Sequence, residues 1–170
     1  MSATSPFWRF SLSLYGRSGV GPACVALQDA HGLDVNVLLF SLWLASEGRC
    51  VEADDVAAAD AAVRAWRLEA VVPLRAVRRF LKEPPAALDA AAVAALRDRV
   101  KAVELESERL QQEALYALRP LTDWGVEGAP DTCGPHNMDA CAQAFGAVFA
   151  PEPRAAILAA FQALRDVRTT

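Results

Sequence analysis

The hydrophobic pattern of the chain is densest over residues 34–47, where DVNVLLFSLWLASE contains few polar side chains. A helix that is apolar nearly all round must be surrounded by protein or by lipid. The stretch is too short to span a bilayer, which takes roughly 20 apolar residues. His31 and Gly32 are typical of the end of a preceding helix, and Asp34 is a typical N-cap. The pattern therefore predicts a buried central helix over residues 34–47.

A second pattern, with apolar or small residues every three or four positions, extends over residues 54–118. Its first half comprises Val56, Ala59, Val63, Trp66, Ala70, Val77 and Phe80. Its second half comprises Val93, Leu96, Val100, Val103, Ser107, Leu110, Ala114 and Ala117. Pro84 and Pro85 separate the two halves, which predicts a long antiparallel helical hairpin. Pro73 removes a backbone hydrogen bond, so we expect a kink in the first helix.

Shorter helices are predicted towards both ends of the chain. Ser5 followed by Pro6 is typical of a helix start, and Pro22 begins a second helix that ends at Gly32. After a loop rich in Pro, Gly and Asp, two further helices are predicted over residues 137–149 and 151–167. Together these elements predict an all-α bundle of six to seven helices.

Composition supports this fold class, because 35 residues are alanine and only one is isoleucine. We expect a helical core domain over residues 1–120. Residues 121–170 are expected to add a loop and two short helices that pack on it, so that the whole chain forms one domain.

Charge and cysteine content narrow the function classes. A net charge of −4 argues against a dedicated nucleic-acid binder. Neither a membrane-spanning run nor the basic-then-apolar order of a signal peptide is found, so a cytoplasmic location is expected. In that compartment the four cysteines are expected to be thiols rather than disulfides.

The N-terminal half resembles a known group of sequences. The segments that carry the resemblance are FWRFSL at residues 7–12, LY at 14–15, LQ at 27–28 and HGLDVN at 31–36, with LLF at 38–40 and LW at 42–43. They resemble a family of small proteobacterial proteins that is catalogued as a domain of unknown function. Trp66, residues 73–75 and the charged stretch at 104–106 fit the same pattern, so the resemblance extends over about residues 7–118. It implies a helical cytoplasmic protein and no particular activity.

The polar residues around the buried helix form the first candidate site, a ligand pocket. Its predicted members are Tyr15, His31, Asp34, Asn36, Phe40 and Trp43. Asn36 lies within an apolar run, and a buried amide needs hydrogen-bond partners. A simpler interpretation gives each polar residue a local role: Asp34 caps the helix, Asn36 bonds to a neighbouring backbone, and His31 lies at a helix C-terminus. His31 and Asp34 are also close enough in sequence to form an acid–base pair, but no nucleophile accompanies them.

Basic residues near the hairpin turn form the second candidate site. Arg75, Arg78, Arg79 and Lys82 are predicted to face a stretch in which Asp89 is the only acid. They would leave a basic patch at the hairpin tip that could contact an acidic partner. Ordinary solvation of an exposed helix face is the alternative.

The third candidate is a zinc site formed by Cys133, His136 and Cys141, because Cys-x-x-His in a Gly-Pro turn resembles one arm of a structural site. The alternative is a helix-opening loop, in which Asn137 caps the helix and Cys141 packs as a small apolar residue.

From these candidates the sequence predicts a non-enzymatic protein-interaction or regulatory module with a protein partner and no cofactor. A small-molecule-binding bundle or enzyme, with a pocket beside residues 31–43, is the first alternative. An RNA- or DNA-associated protein is the second, and a homo-oligomer is compatible with each of these hypotheses.

Overall fold

The computed structural model describes residues 4–169, with side chains to residue 166. Its helices are α1 (Pro6–Tyr15), α2 (Val20–His31), α3 (Val35–Ser46), α4 (Ala53–Trp66), α5 (Val72–Phe80), α6 (Ala90–Ala117), α7 (Pro130–Ala144) and α8 (Pro151–Thr169). The strands β1 (Arg49–Cys50) and β2 (Val126–Glu127) form a two-stranded antiparallel ribbon. A π-helical segment, Arg67–Val71, joins α4 to α5, so that α4 to α5 form one interrupted helix. The predicted all-α bundle is confirmed.

The central helix α3 is buried at every position from Asn36 to Ala45. Its start follows the predicted local signals, because the Asp34 carboxylate accepts a hydrogen bond from the Asn36 backbone N–H. Gly32 ends α2 with a φ of 65°, in the left-handed region that glycine favours. The helices α1, α6 and α7 pack around α3. No helix within residues 4–169 combines the length and apolar character needed to cross a membrane.

The helices α7 and α8 contribute to the same core as the rest of the chain. Met138, Cys141, Ile157 and Phe161 are all fully buried or nearly so. The segment predicted as a loop is shorter than expected, because α7 begins at Pro130 and carries Pro135 within the helix. The predicted core domain begins at residue 1 and the predicted C-terminal segment ends at residue 170. Residues 1–3 and residue 170 lie outside the described residues.

The cysteine prediction is wrong for two of the four residues. Cys50 in β1 and Cys133 in α7 form a disulfide, whereas Cys24 and Cys141 are buried thiols. The ribbon brings the two half-cystines together, and Gly128 packs over them: a Cβ on Gly128 would lie 2.8 Å from both sulfur atoms.

Asn137 holds this ribbon against α3. Its side-chain N–H groups donate to the carbonyls of Ser41 and Arg49, and its Oδ1 accepts from the Val51 N–H. Asn137 is therefore a fully buried connector within α7 and not the predicted N-cap.

The inward face of α6 also differs from the prediction. Its buried positions are mainly polar and comprise Val93, Glu104, Ser107, Gln111, Gln112 and Leu115. Leu96, Val103 and Leu110, which were predicted to face the core, are exposed. α6 has a polar stripe and an apolar stripe. The polar stripe faces inward because neighbouring helices supply polar partners for it.

Candidate ligand-binding site

The polar stripe of α6 meets the predicted pocket residue Asn36. The Gln112 side chain donates through Nε2 to Asn36 Oδ1 at 2.7 Å and to Ser11 Oγ at 2.9 Å. Asn36 is 6% exposed. Its amide oxygen accepts from a side chain, whereas the simpler interpretation had predicted a bond to neighbouring backbone. Gln112 Oε1 is buried and has no hydrogen-bond partner among the described residues. An acceptor of this kind is an unused position for a donor group.

A buried ionic cluster lies beside Gln111, the residue that precedes Gln112 in α6. The Arg67 guanidinium, at the start of the π-helical segment, donates to the carboxylates of Asp34 and Asp60. Gln111 Nε2 donates to the same oxygen of Asp34. Burial alone would lower the pKa of Arg67, but its two carboxylate partners outweigh burial and raise that pKa. This arginine is therefore firmly charged and holds α4 to the start of α3.

A second ionic cluster connects α5 to α6. Arg75 donates to Gln28 Oε1 at 2.6 Å, to Glu104 Oε1 at 3.2 Å and to Glu108 Oε1 at 2.7 Å. Arg78 donates to both oxygens of Glu104. Burial raises the pKa of the Glu108 carboxyl, and the contact with Arg75 offsets that effect only in part.

The predicted basic patch is therefore wrong for Arg75 and Arg78, which are neutralised by acids. Residues 81–89 form no α-helix and the π-helical segment shifts the register, so the two arginines lie beside Glu104 and Glu108 rather than beside the start of α6. Arg79 has one long ion pair, 4.0 Å to Asp29, and Lys82 is exposed.

Residues of two predicted sites line one cavity of about 320 Å³ between α1, α2, α3, α5 and α6. Tyr15 and Asn36 come from the predicted ligand pocket, and Arg75, Arg78 and Arg79 come from the predicted basic patch. Other residues that line this cavity were not predicted as site residues; they include Trp8, Leu12, Val25, Leu39, Lys101, Glu104, Leu105, Glu108 and Gln112. Glu104, Glu108 and Gln112 are spaced four residues apart, so they lie on one face of a helix. A search of the sequence for polar residues at this spacing could have found them.

A family described as "Protein of unknown function (DUF2390)" has a model that matches residues 6–115. The chain belongs to the DUF2390 family. The matched segment begins at the first residue of α1 and ends in the last turn of α6, so every residue that lines the 320 Å³ cavity lies within it. No curated protein and no solved structure matches the chain.

The other predicted pocket residues of this DUF2390 protein lie elsewhere. Phe40 and Trp43 belong to an aromatic cluster in the core, with ring centroids 5.6 Å apart. His31 packs beside Phe149, with ring centroids 5.9 Å apart. Asp34 lines a second, larger cavity of about 900 Å³, which shares Gln28, Arg75 and Arg79 with the first but includes neither Tyr15 nor Asn36. His31 and Asp34 therefore do not join Asn36 around one ligand space.

The structure does not bring the three predicted zinc ligands together. Cys133 is bonded to Cys50, and Cys141 is fully buried, which raises the pKa of its thiol. His136 Nε2 lies 3.3 Å from the Glu52 carboxylate. Within residues 4–169, no group of three or more His, Cys, Asp or Glu side chains is placed to hold a metal ion.

The raised pKa of Glu108 predicts a pH dependence of stability. The folded protein holds the Glu108 proton more tightly than the unfolded chain does. The contribution of this group to the free energy of unfolding is therefore complete below the usual glutamate pKa and declines as pH rises through the raised one. Glu108→Gln is expected to remove this decline, which urea unfolding between about pH 4 and about pH 7 measures.

Glu106 on the same helix provides the control, because Arg109 lowers the pKa of its carboxyl. Its contribution has the opposite sign and is lost as pH falls. If the free energy of unfolding depended on pH in the same way for Glu108→Gln and for the unmodified protein, the raised pKa of Glu108 would be contradicted.

Proposed function

We propose that this protein binds a small anionic molecule with an apolar body in the cavity between α1, α2, α3, α5 and α6. The observation that carries the proposal is the shared cavity itself, which Tyr15 and Asn36 line together with Arg75, Arg78 and Arg79. Its volume of about 320 Å³ is within the range of small-molecule sites.

The apolar wall supports the body of such a ligand. Trp8, Leu12, Val25, Leu39 and Leu105 line the cavity and come from four different helices. Predominantly apolar walls with a few convergent polar groups are typical of ligand pockets. The polar groups here are the Asn36–Gln112 pair, whose free acceptor Gln112 Oε1 favours a ligand with a hydrogen-bond donor.

The charges around the cavity support the anionic group. Arg75 and Arg78 are already paired with Glu104 and Glu108. Arg79 has only its long contact to Asp29, and among the described side chains Lys101 forms no ion pair. A carboxylate, sulfonate or phosphate at the opening would meet these two cations first.

This function fits the geometry better than the predicted protein-interaction role through the basic tip. With Arg75 and Arg78 neutralised, the tip retains Arg79 and Lys82 as its available cations. Two exposed cations form a weak surface for an acidic partner or a nucleic acid.

A pair of fluorescent probes tests the proposal. 8-Anilinonaphthalene-1-sulfonate carries an apolar body, an N–H donor and an anion, and N-phenyl-1-naphthylamine is the same body without the anion. We expect the anionic probe to bind at least about tenfold more tightly, corresponding to about 1.4 kcal/mol. The Arg79→Ala/Lys101→Ala double variant is expected to abolish this preference and to leave binding of the neutral probe unchanged. Fluorescence titration at fixed ionic strength measures both affinities.

A blocking variant locates the binding. Leu105→Trp should fill the cavity from α6 and abolish binding of both probes, since Leu105 is 49% exposed and can be enlarged without disturbing the core. Leu88→Trp is the matched control: Leu88 is 54% exposed, and it does not line the cavity. Equal binding by all variants would show that the probes bind elsewhere and would refute the proposal.

A further inference from the structure

The flank of α6 opposite the cavity is apolar, and no element within residues 4–166 covers it. Leu96, Val103 and Leu110 recur every seven residues and are 45%, 54% and 44% exposed. Residues seven apart lie on nearly one line along an α-helix, so the three side chains form a continuous stripe. The indole N–H of Trp66 donates to the Ser107 carbonyl at 3.0 Å, which places this half-exposed ring beside the stripe. A seven-residue spacing is that of one of the two apolar positions in each heptad of a coiled coil.

The charges along α6 indicate which partner fits this stripe. Arg99 precedes Val103 and Glu106 follows it on the flank of the stripe, whereas Lys101, Glu104 and Glu108 line the cavity on the opposite flank. A second α6 in the parallel direction would bring like charges together. In the antiparallel direction, Arg99 of one helix lies beside Glu106 of the other.

We propose that two copies of this chain associate through α6 in an antiparallel, two-fold arrangement centred on Val103. The two-fold axis places Leu96 of one copy opposite Leu110 of the other and Val103 opposite Val103. Arg99 and Glu106 lie on the same flank of the stripe, four residues before Val103 and three after it. In an antiparallel pair, residues on equivalent flanks meet, so each Arg99 lies beside Glu106 of the other copy. Glu106 also accepts from Arg109 of its own chain, an exposed pair that contributes little.

Sedimentation equilibrium tests this arrangement on the whole chain. We expect a dimer at micromolar concentration and at least a tenfold increase in its dissociation constant for Val103→Glu, which brings two buried charges together at the axis. Arg99→Glu and Glu106→Arg are each expected to weaken the dimer. Their combination restores the pairs with exchanged charges and is expected to recover affinity. A monomer over the whole concentration range, or a double variant weaker than both single variants, would overturn the proposal.

Cross-linking measures the geometry independently. In the Val103→Cys variant, the two copies should form a disulfide between their position-103 side chains under mild oxidation, because the two-fold axis passes beside this residue. Leu105→Cys is the control, since it is equally exposed but lines the cavity on the opposite flank of α6. The native thiols Cys24 and Cys141 are buried and do not interfere. Equal cross-linking of the two variants would exclude the proposed interface.

Discussion

Arg67→Ala is expected to lower the free energy of unfolding by about 3–5 kcal/mol. Arg67 is the cation between Asp34 and Asp60, and both carboxylates are buried. Its removal leaves two like charges in a medium of low polarity, Asp34 without a cation and Asp60 with only the exposed Arg64 at 3.8 Å, and this penalty exceeds the loss of any one hydrogen bond. Urea unfolding followed by circular dichroism measures the change.

Two variants make this result specific. Arg64→Ala removes an exposed arginine from the same helix, 3.8 Å from Asp60, and is expected to cost less than about 1 kcal/mol. Asp60→Asn in the Arg67→Ala background removes one of the stranded charges and is expected to restore part of the lost stability. If Arg67→Ala were no more destabilising than Arg64→Ala, the buried cluster would not be a principal stabilising element.

Loss of the Cys50–Cys133 disulfide is the second large expected effect. The bond closes a loop of 83 residues, and the chain-entropy estimate for a loop of this length is about 4 to 5 kcal/mol. The Cys50→Ala/Cys133→Ala variant is expected to lose roughly this amount, as is the native protein in the presence of dithiothreitol. Guanidinium unfolding with and without the reductant measures the difference.

The buried thiols provide the control for this experiment. Burial raises the pKa of Cys24 to about 12, so it remains a protonated and unreactive thiol near neutral pH. We expect a thiol reagent to detect no thiol in the native protein, two after unfolding, and four after unfolding and reduction. Four reactive thiols without reduction would contradict the disulfide, and Cys24→Ala should leave the effect of dithiothreitol unchanged.

The polar interior of α6 explains why the candidate site was only partly predictable. Asn36 stood out in the sequence because it interrupts an apolar run, and the basic residues near Pro84 stood out as a cluster. Their convergence on one cavity depends on the register between α5 and α6, which residues 67–71 and 81–89 set. Neither stretch follows a regular α-helical repeat, and side-chain periodicity therefore could not supply that register.

Periodicity identified Val93 and Ser107 on the buried face of α6, but not the other positions of that face. The line through Leu96, Val103 and Leu110 has the stronger apolar signal, but it faces outward. Glu104 and Gln112 face inward because Arg75, Arg78 and Asn36 provide their partners. A buried polar face is stable only when such partners exist, and those partners come from distant parts of the chain.

The sequence by itself determined the helices whose signals are local. Asp34 and Gly32 mark the ends of neighbouring helices, and an apolar run without a polar face can only be a core helix. Tertiary structure alone decided which face of α6 is buried, which carboxylates neutralise Arg75 and Arg78, and that Cys50 bonds to Cys133. The physical reason is that caps and periodicity act within a few residues, whereas these contacts join positions 26 to 101 residues apart, whose proximity is a property of the packed bundle.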